Sequence, residues 1–191
     1  MSQARIAIFA SGNGSNAEAI IHHFKDHPSI EVSLVLSNNT QAHVLVRAAN
    51  NGIPTRTFDR NTFKETTTVL EWLADAGVTH IVLAGFLWLV PAYLIEHYPG
   101  RIINIHPSLL PKHGGKGMYG MKVHEAVKEA GDTISGITIH LVDSRYDEGK
   151  VVFQVTCPVA EIDRPEDIAS KIHRLEYQHF PEEIEKWILH P

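Results

Sequence analysis

Asn104 and His106 stand two residues apart, directly after the apolar pair Ile102-Ile103 and directly before Pro107. The apolar run predicts a buried strand, and side chains two apart on a strand share a face. An asparagine and a histidine so placed suit acyl transfer. The amide donates a hydrogen bond to a developing oxyanion, and the imidazole carries a proton near neutral pH. Pro107 cannot continue a ladder, which leaves His106 at a strand tip. The alternative is a satisfied strand-end histidine beside a turn proline. The carboxyl end of a strand in an α/β sheet favours a site, because ligands of such folds bind beyond those ends.

A second stretch, Gly12-Asn13-Gly14-Ser15-Asn16, follows the first apolar run. Small residues let backbone N–H groups approach a phosphate, and a helix N-terminus favours its charge. Ser15 and Asn16 add side-chain donors. No Walker lysine and no full dinucleotide fingerprint is present, so the loop reads as a monophosphate site or as a plain glycine turn. Asp143-Ser-Arg-Tyr-Asp147-Glu-Gly149 reads as a turn; a carboxylate folded back from it onto His106 would orient the ring and favour imidazolium. Glu176 reads most simply as a solvated helix residue, Lys64 as a surface charge and Trp88 as core. Ser108 has no strand–turn–helix elbow, so a covalent serine mechanism is disfavoured.

These residues need a scaffold. Strands are predicted over 5–10, 30–37, 55–58, 80–84 and 102–105, alternating with helices over 17–25, 41–51, a segment from a Thr62/Glu65 capping box to Ala76, and 91–98. That alternation marks a parallel α/β sheet. A helix over 123–130 follows, then strands over 135–142 and 151–157, joined by a turn and therefore antiparallel. In the first of these, Ile137, Ile139 and Leu141 alternate with Thr138 and His140. A capping box at Asp163/Glu166 opens a long C-terminal helix, interrupted near Pro181. The glycine-rich segment 113–121 reads as a mobile loop.

The 191 residues fit one domain over 1–191, with a phosphate-binding parallel half over 1–105. A net charge of −5 gives no reason to expect a nucleic-acid or anionic-membrane surface. The single Cys157 excludes an internal disulfide and a cysteine-based zinc cage. No membrane-length apolar stretch and no leader ahead of the first strand is seen, so the expected compartment is cytoplasmic.

Together the motifs resemble one family, the folate-dependent phosphoribosylglycinamide formyltransferases. They are Ser11-Gly-Asn-Gly-Ser-Asn16, Leu83-Ala-Gly-Phe86, Asn104-Ile-His-Pro-Ser-Leu-Leu-Pro111, Ser135-Gly-Ile-Thr-Ile-His140, Asp147-Glu-Gly149, and Glu176 with Pro181. The resemblance implies a Rossmann-like formyltransferase fold. It implies formyl transfer from 10-formyltetrahydrofolate, as co-substrate, to the amine of glycinamide ribonucleotide in purine synthesis, with no metal. By resemblance Asn104, His106 and Asp147 are catalytic. Gly12, Asn13, Gly14, Ser15 and Asn16 hold the phosphate, and Glu176 meets the ribose. Leu87, Trp88, Leu89 and Val90 form a folate wall, joined by Asn104, Asp143 and Lys64. Residues 106–191 then form the folate and catalytic half. Partners are the two small substrates only, in a monomer or homodimer. Two departures stand out: Trp88 replaces an arginine of some members, and the 113–121 loop is about four residues longer than in the shortest. A formyltetrahydrofolate hydrolase would carry an extra domain ahead of the first strand. A methionyl-tRNA formyltransferase would carry a C-terminal tRNA-binding domain. A phosphate-ligand module without catalysis is the non-enzymatic alternative.

Overall fold

A computed structural model describes residues 3–190. Met1 and Ser2, on which part of the leader expectation falls, and Pro191 lie outside the described residues. The strands are β1 (Ala4–Phe9), β2 (Ile30–Ser37), β3 (Thr55–Thr57), β4 (His80–Leu83), β5 (Ile102–His106), β6 (Ile134–Leu141) and β7 (Val151–Pro158). The helices are α1 (Ser15–Phe24), α2 (His43–Asn50), α3 (Arg60–Glu65), α4 (Thr68–Asp75), α5 (Ala92–His97), α6 (Met121–Glu129) and α7 (Pro165–Leu189). They build one sheet in the order β3-β2-β1-β4-β5-β6-β7. The first five strands pair in parallel, and β5–β6 and β6–β7 are antiparallel. The expected mostly parallel sheet, late antiparallel pair and long C-terminal helix are all present.

The central strands are apolar on both faces because helices cover both. Ile8, Ile20, Ile103, Ile172 and Phe180 belong to the core under α1, α2, α6 and α7. Phe9, Phe63, Leu73 and Leu94 belong to the core under α3, α4 and α5. The chain winds outward from β1 to β3, then returns to place β4 on the other side of β1. The loops leaving β1 and β4 therefore diverge and open a crevice at the carboxyl ends of the strands.

Three expectations are corrected. The segment from Thr62 to Ala76 is two helices, α3 and α4. Asp59, not Thr62, caps α3, its carboxylate accepting from the Thr62 N–H at 2.8 Å. The break falls at extended Thr66, whose hydroxyl bonds the Thr62 carbonyl at 2.9 Å and competes with helical bonding. The C-terminal box sits one residue later than read: Arg164 is the N-cap, and the Asp167 carboxylate accepts from its N–H at 2.9 Å. The helix is not interrupted at Pro181. Buried Ile172, Glu176 and Phe180 before it and Glu183 and Ile184 after it fix one continuous axis, outweighing the roughly 3 kcal/mol of an interior proline. In β6 the alternating polar positions Thr138 and His140 are both buried, since β6 lies inside the sheet.

Candidate active site

A cavity of about 600 Å³ occupies the crevice, a size usual for a small-molecule site. The 12–16 loop, residues 84–87, the end of β5, loop 115–120, Tyr146, Asp147 and the polar face of α7 line it. Ser11 ties two of these walls together. Its hydroxyl donates to Asn38 Oδ1 at 2.6 Å and accepts from the Leu87 N–H at 3.0 Å, while its own N–H donates to the Gly85 carbonyl at 3.1 Å.

The 12–16 loop turns on Gly14, the N-cap of α1, which has φ 78°. A side chain there is excluded twice. The conformation is left-handed, and a Cβ would stand 2.4 Å from Val44 Cβ. The Val44 N–H donates to the Gly12 carbonyl at 3.1 Å, so α2 clamps the loop. Free N–H groups at the start of α1 face the cavity end where Ser15 and Asn16 stand.

Asn104 and His106 both line the cavity at the tip of β5, as their spacing predicts. His106 is the last residue of the ladder, opposite Thr138, and is 3 % exposed. Its Nε2–H donates to the His113 carbonyl at 2.8 Å, and its Nδ1 lies 3.4 Å from Asp147 Oδ2. Burial pushes the ring below its ordinary pKa; Asp147 and the His113 carbonyl pull upward without reversing that. Asp147 thus favours imidazolium, as expected, but burial outweighs it. Asp147, with φ 57°, also accepts the Gly115 N–H at 2.9 Å. Burial would raise its carboxyl, but His140, His106 and the Gly115 N–H hold it below the usual carboxylate range.

His140 is the residue that sequence reasoning missed. The antiparallel register sets it directly across from Asn104, where facing side chains touch. The Leu141 carbonyl, 2.9 Å away, can only accept, so His140 Nδ1 is the donor. Nε2 is then a lone pair, and the Asn104 amide NH₂ donates to it at 3.0 Å. That bond fixes which way the Asn104 amide points. Nε2 also lies 3.7 Å from Asp147 Oδ1. The polar positions within an apolar strand were the available signal, but only the β5–β6 register gives it meaning.

Glu176 is not solvated. It is 5 % exposed, and its Oε2 accepts from Asn16 Nδ2 at 3.0 Å and from His173 Nδ1 at 2.9 Å. One bond thus joins the first helix to the last. The expected folate wall divides: Leu87 lines the cavity, while Val90 is core. Trp88 packs on Phe58 and Phe63 with the Arg60 guanidinium 5.0 Å above it, and the Leu89 N–H donates to the Tyr146 hydroxyl at 3.1 Å. Lys64 is exposed, and Asp143 pairs with Arg145 at 3.4 Å; neither lines the cavity. No group of three or more side chains among the described residues could hold a metal ion, and no described helix is long and apolar enough to cross a membrane.

The family profile described as Formyl transferase matches residues 4–184. The chain is 37 % identical over 187 residues to the chloroplastic phosphoribosylglycinamide formyltransferase of Arabidopsis thaliana, covering 94 % of this chain and 64 % of that one. It is 35 % identical to the phosphoribosylglycinamide formyltransferase of Bacillus subtilis (strain 168), covering 95 % and 93 %. It thus spans less than two thirds of the plant relative's length. The crystal structure of phosphoribosylglycinamide formyltransferase from Anaplasma phagocytophilum superposes with TM-score 0.87 at 33 % identity, covering 96 % of this chain and 86 % of that chain. The one from Bacillus halodurans gives 0.86 at 35 %, covering 96 % and 95 %. The match runs from β1 almost to the end of α7, and the strand-tip Asn–His pair, the clamped glycine loop and the buried glutamate all fall inside it: the chain belongs to the formyl transferase family.

Proposed function

We propose that this protein transfers the formyl group of 10-formyltetrahydrofolate to the amine of glycinamide ribonucleotide, giving formylglycinamide ribonucleotide and tetrahydrofolate in purine synthesis. One observation carries the reading. A single cavity is lined by an anion-suited loop, Gly12 to Asn16, by Asn104, His106 and Asp147, and by apolar Phe86 and Leu87. An acceptor with a phosphate at one end and an amine at the other fits that arrangement. The relatives' names and the family match support it.

In this reading the phosphate sits on the N–H groups of residues 12–16, and Glu176 meets the ribose. The pterin end lies along Leu87 and Tyr146. The 1–105 half of the single domain supplies the phosphate loop and Asn104, and the 106–191 half supplies His106, Asp147 and Glu176. Holding both substrates in line supplies much of the rate. The amine attacks the formyl carbon, and negative charge grows on the formyl oxygen. Asn104 offers that oxygen the amide N–H not given to His140. The oxyanion competes with the neutral His113 carbonyl for His106 Nε2–H and wins, since a charge-assisted bond is about twice as strong. The proton shed by the attacking nitrogen passes through water to Nδ1, against Asp147, and turns His106 cationic while the oxyanion exists. From Nδ1 the same proton goes on to the departing folate nitrogen. Neither a metal nor a covalent enzyme intermediate enters. The compartment is cytoplasmic, and the protein acts as a monomer or homodimer.

The test is absorbance-monitored release of tetrahydrofolate from 10-formyltetrahydrofolate, with and without glycinamide ribonucleotide. Release that depends on the ribonucleotide is expected. Equal release in both would make the protein a hydrolase, and no release from folded protein would overturn the activity.

A further inference from the structure

A further imidazole, His124 near the start of α6, has no task in the reaction above. It is 2 % exposed, yet it lines the cavity beside Asn16, His173 and Glu176. Its ring stands edge-on to His173, with centroids 6.5 Å apart. Burial, with His173 and His106 opposing Glu176, pulls its pKa down to about 4, so the ring is neutral at physiological pH.

A neutral ring carries one N–H, and the surroundings decide where. Among the described residues Nδ1 is buried with no hydrogen-bond partner. A buried N–H without an acceptor is rarer than an under-used lone pair. The proton therefore sits on Nε2, the ring nitrogen through which His124 meets the cavity. Two acceptors stand on the same wall. Asn16 gives one of its two amide hydrogens to Glu176, and its Oδ1 is buried and unpartnered among the described residues. Glu176 spends Oε2 on Asn16 and His173, which leaves Oε1 to a ligand.

Two acceptors and one donor suit a pair of hydroxyls, which give two hydrogens and can accept one in return. They are a poor match for a phosphate, which would face the Glu176 carboxylate and the Asn16 carbonyl. We propose that His124 is a sugar-binding residue, a neutral donor that with Asn16 and Glu176 recognises a ribose diol and discriminates against a deoxy sugar. This rests on the reading of the acceptor as a phosphorylated riboside.

Calorimetric titration of the intact chain with ribose 5-phosphate and with 2-deoxyribose 5-phosphate tests it. Wild-type protein should prefer the ribose ester. His124→Phe fills the space without the donor and should weaken the ribose ester about five- to tenfold, the effect of one neutral hydrogen bond. It should leave the deoxy ester unchanged. His124→Gln, whose amide N–H reaches similarly far, should keep most of the preference. Equal loss of both esters in His124→Phe means a structural role only, and no loss of either, or no wild-type preference, equally overturns the assignment. Should His124→Phe not fold, the wild-type His124 ring resonances decide: a shift with the ribose ester alone supports the proposal, and no shift ends it. The formyl-transfer assay is read separately. Sugar discrimination without ribonucleotide-dependent release would overturn the reaction and leave this site standing.

Discussion

The chemistry concentrates in side chains that are buried without being removed from the cavity. His106 illustrates the balance: burial lowers its pKa, while Asp147, 3.4 Å from Nδ1, pulls it back up. His106→Ala and Asp147→Asn should each lose about 10²–10³ in turnover with ligand affinity largely kept, measured as kcat against Kd for both substrates. Near-normal turnover in either would remove that residue from the mechanism. His140 should behave differently, because it acts through Asn104. His140→Phe should lower kcat by about 10-fold, since the freed amide can turn its oxygen toward the oxyanion. His140→Gln, which can still accept from Asn104, should recover part of it. A loss in both variants matched by a loss of folding would mean simple packing. At this scale the sequence was legible for Asn104 and His106, because a two-residue spacing on a strand has one geometric meaning. Residue chemistry alone did not mark Glu176, which only the family resemblance pointed to, or His140. A glutamate on a helix reads as solvated until the helix is known to dock. A histidine on a strand reads as surface until its neighbours are known.

At the scale of elements, boundaries followed local chemistry and misreadings followed competition between equally local signals. Asp59 and Thr62 are both good caps three residues apart; the first won, and Thr66 then broke the segment. Pro181 reads as a helix stop, but buried contacts on both sides overruled it. The phosphate-loop element rests on one close approach. Gly14→Ala would force a left-handed alanine against Val44, whose Cβ and Cα lie 2.4 and 2.7 Å from the new methyl position. The expected cost is about 2–4 kcal/mol in chemical denaturation, with loss of acceptor binding. Val44→Ala should not rescue it, because the clash includes Val44 Cβ itself. Unchanged denaturation of the single variant would show that α2 does not clamp the loop.

Over the whole molecule, imidazoles with lowered pKa contribute to the response to acid. His124 and His80 are both held at a pKa of about 4, principally by burial. A histidine whose folded pKa lies below its unfolded value binds fewer protons when folded. Stability is then full above the unfolded value, near 6.5, and falls as pH drops toward 4. The His124 shift corresponds to roughly 3 kcal/mol; half-buried His80 adds less in the same direction. Urea midpoints measured from pH 7 to pH 4 should fall across this window, and His124→Gln should flatten the slope. A midpoint independent of pH there would mean that these rings are already charged in the folded state.

The bond between Asn16 and Glu176 spans 160 positions of the chain. Synthesis proceeds from the amino end, so the glycine loop leaves the ribosome long before its partner exists. The sheet from β1 to β7 can be translated in full while the sugar wall is still missing. A nascent chain therefore gains no ligand stabilisation from the acceptor until α7 has emerged and packed across α1. Under the proposed function, binding of the ribonucleotide would report that the last helix is home, a signal of completed folding.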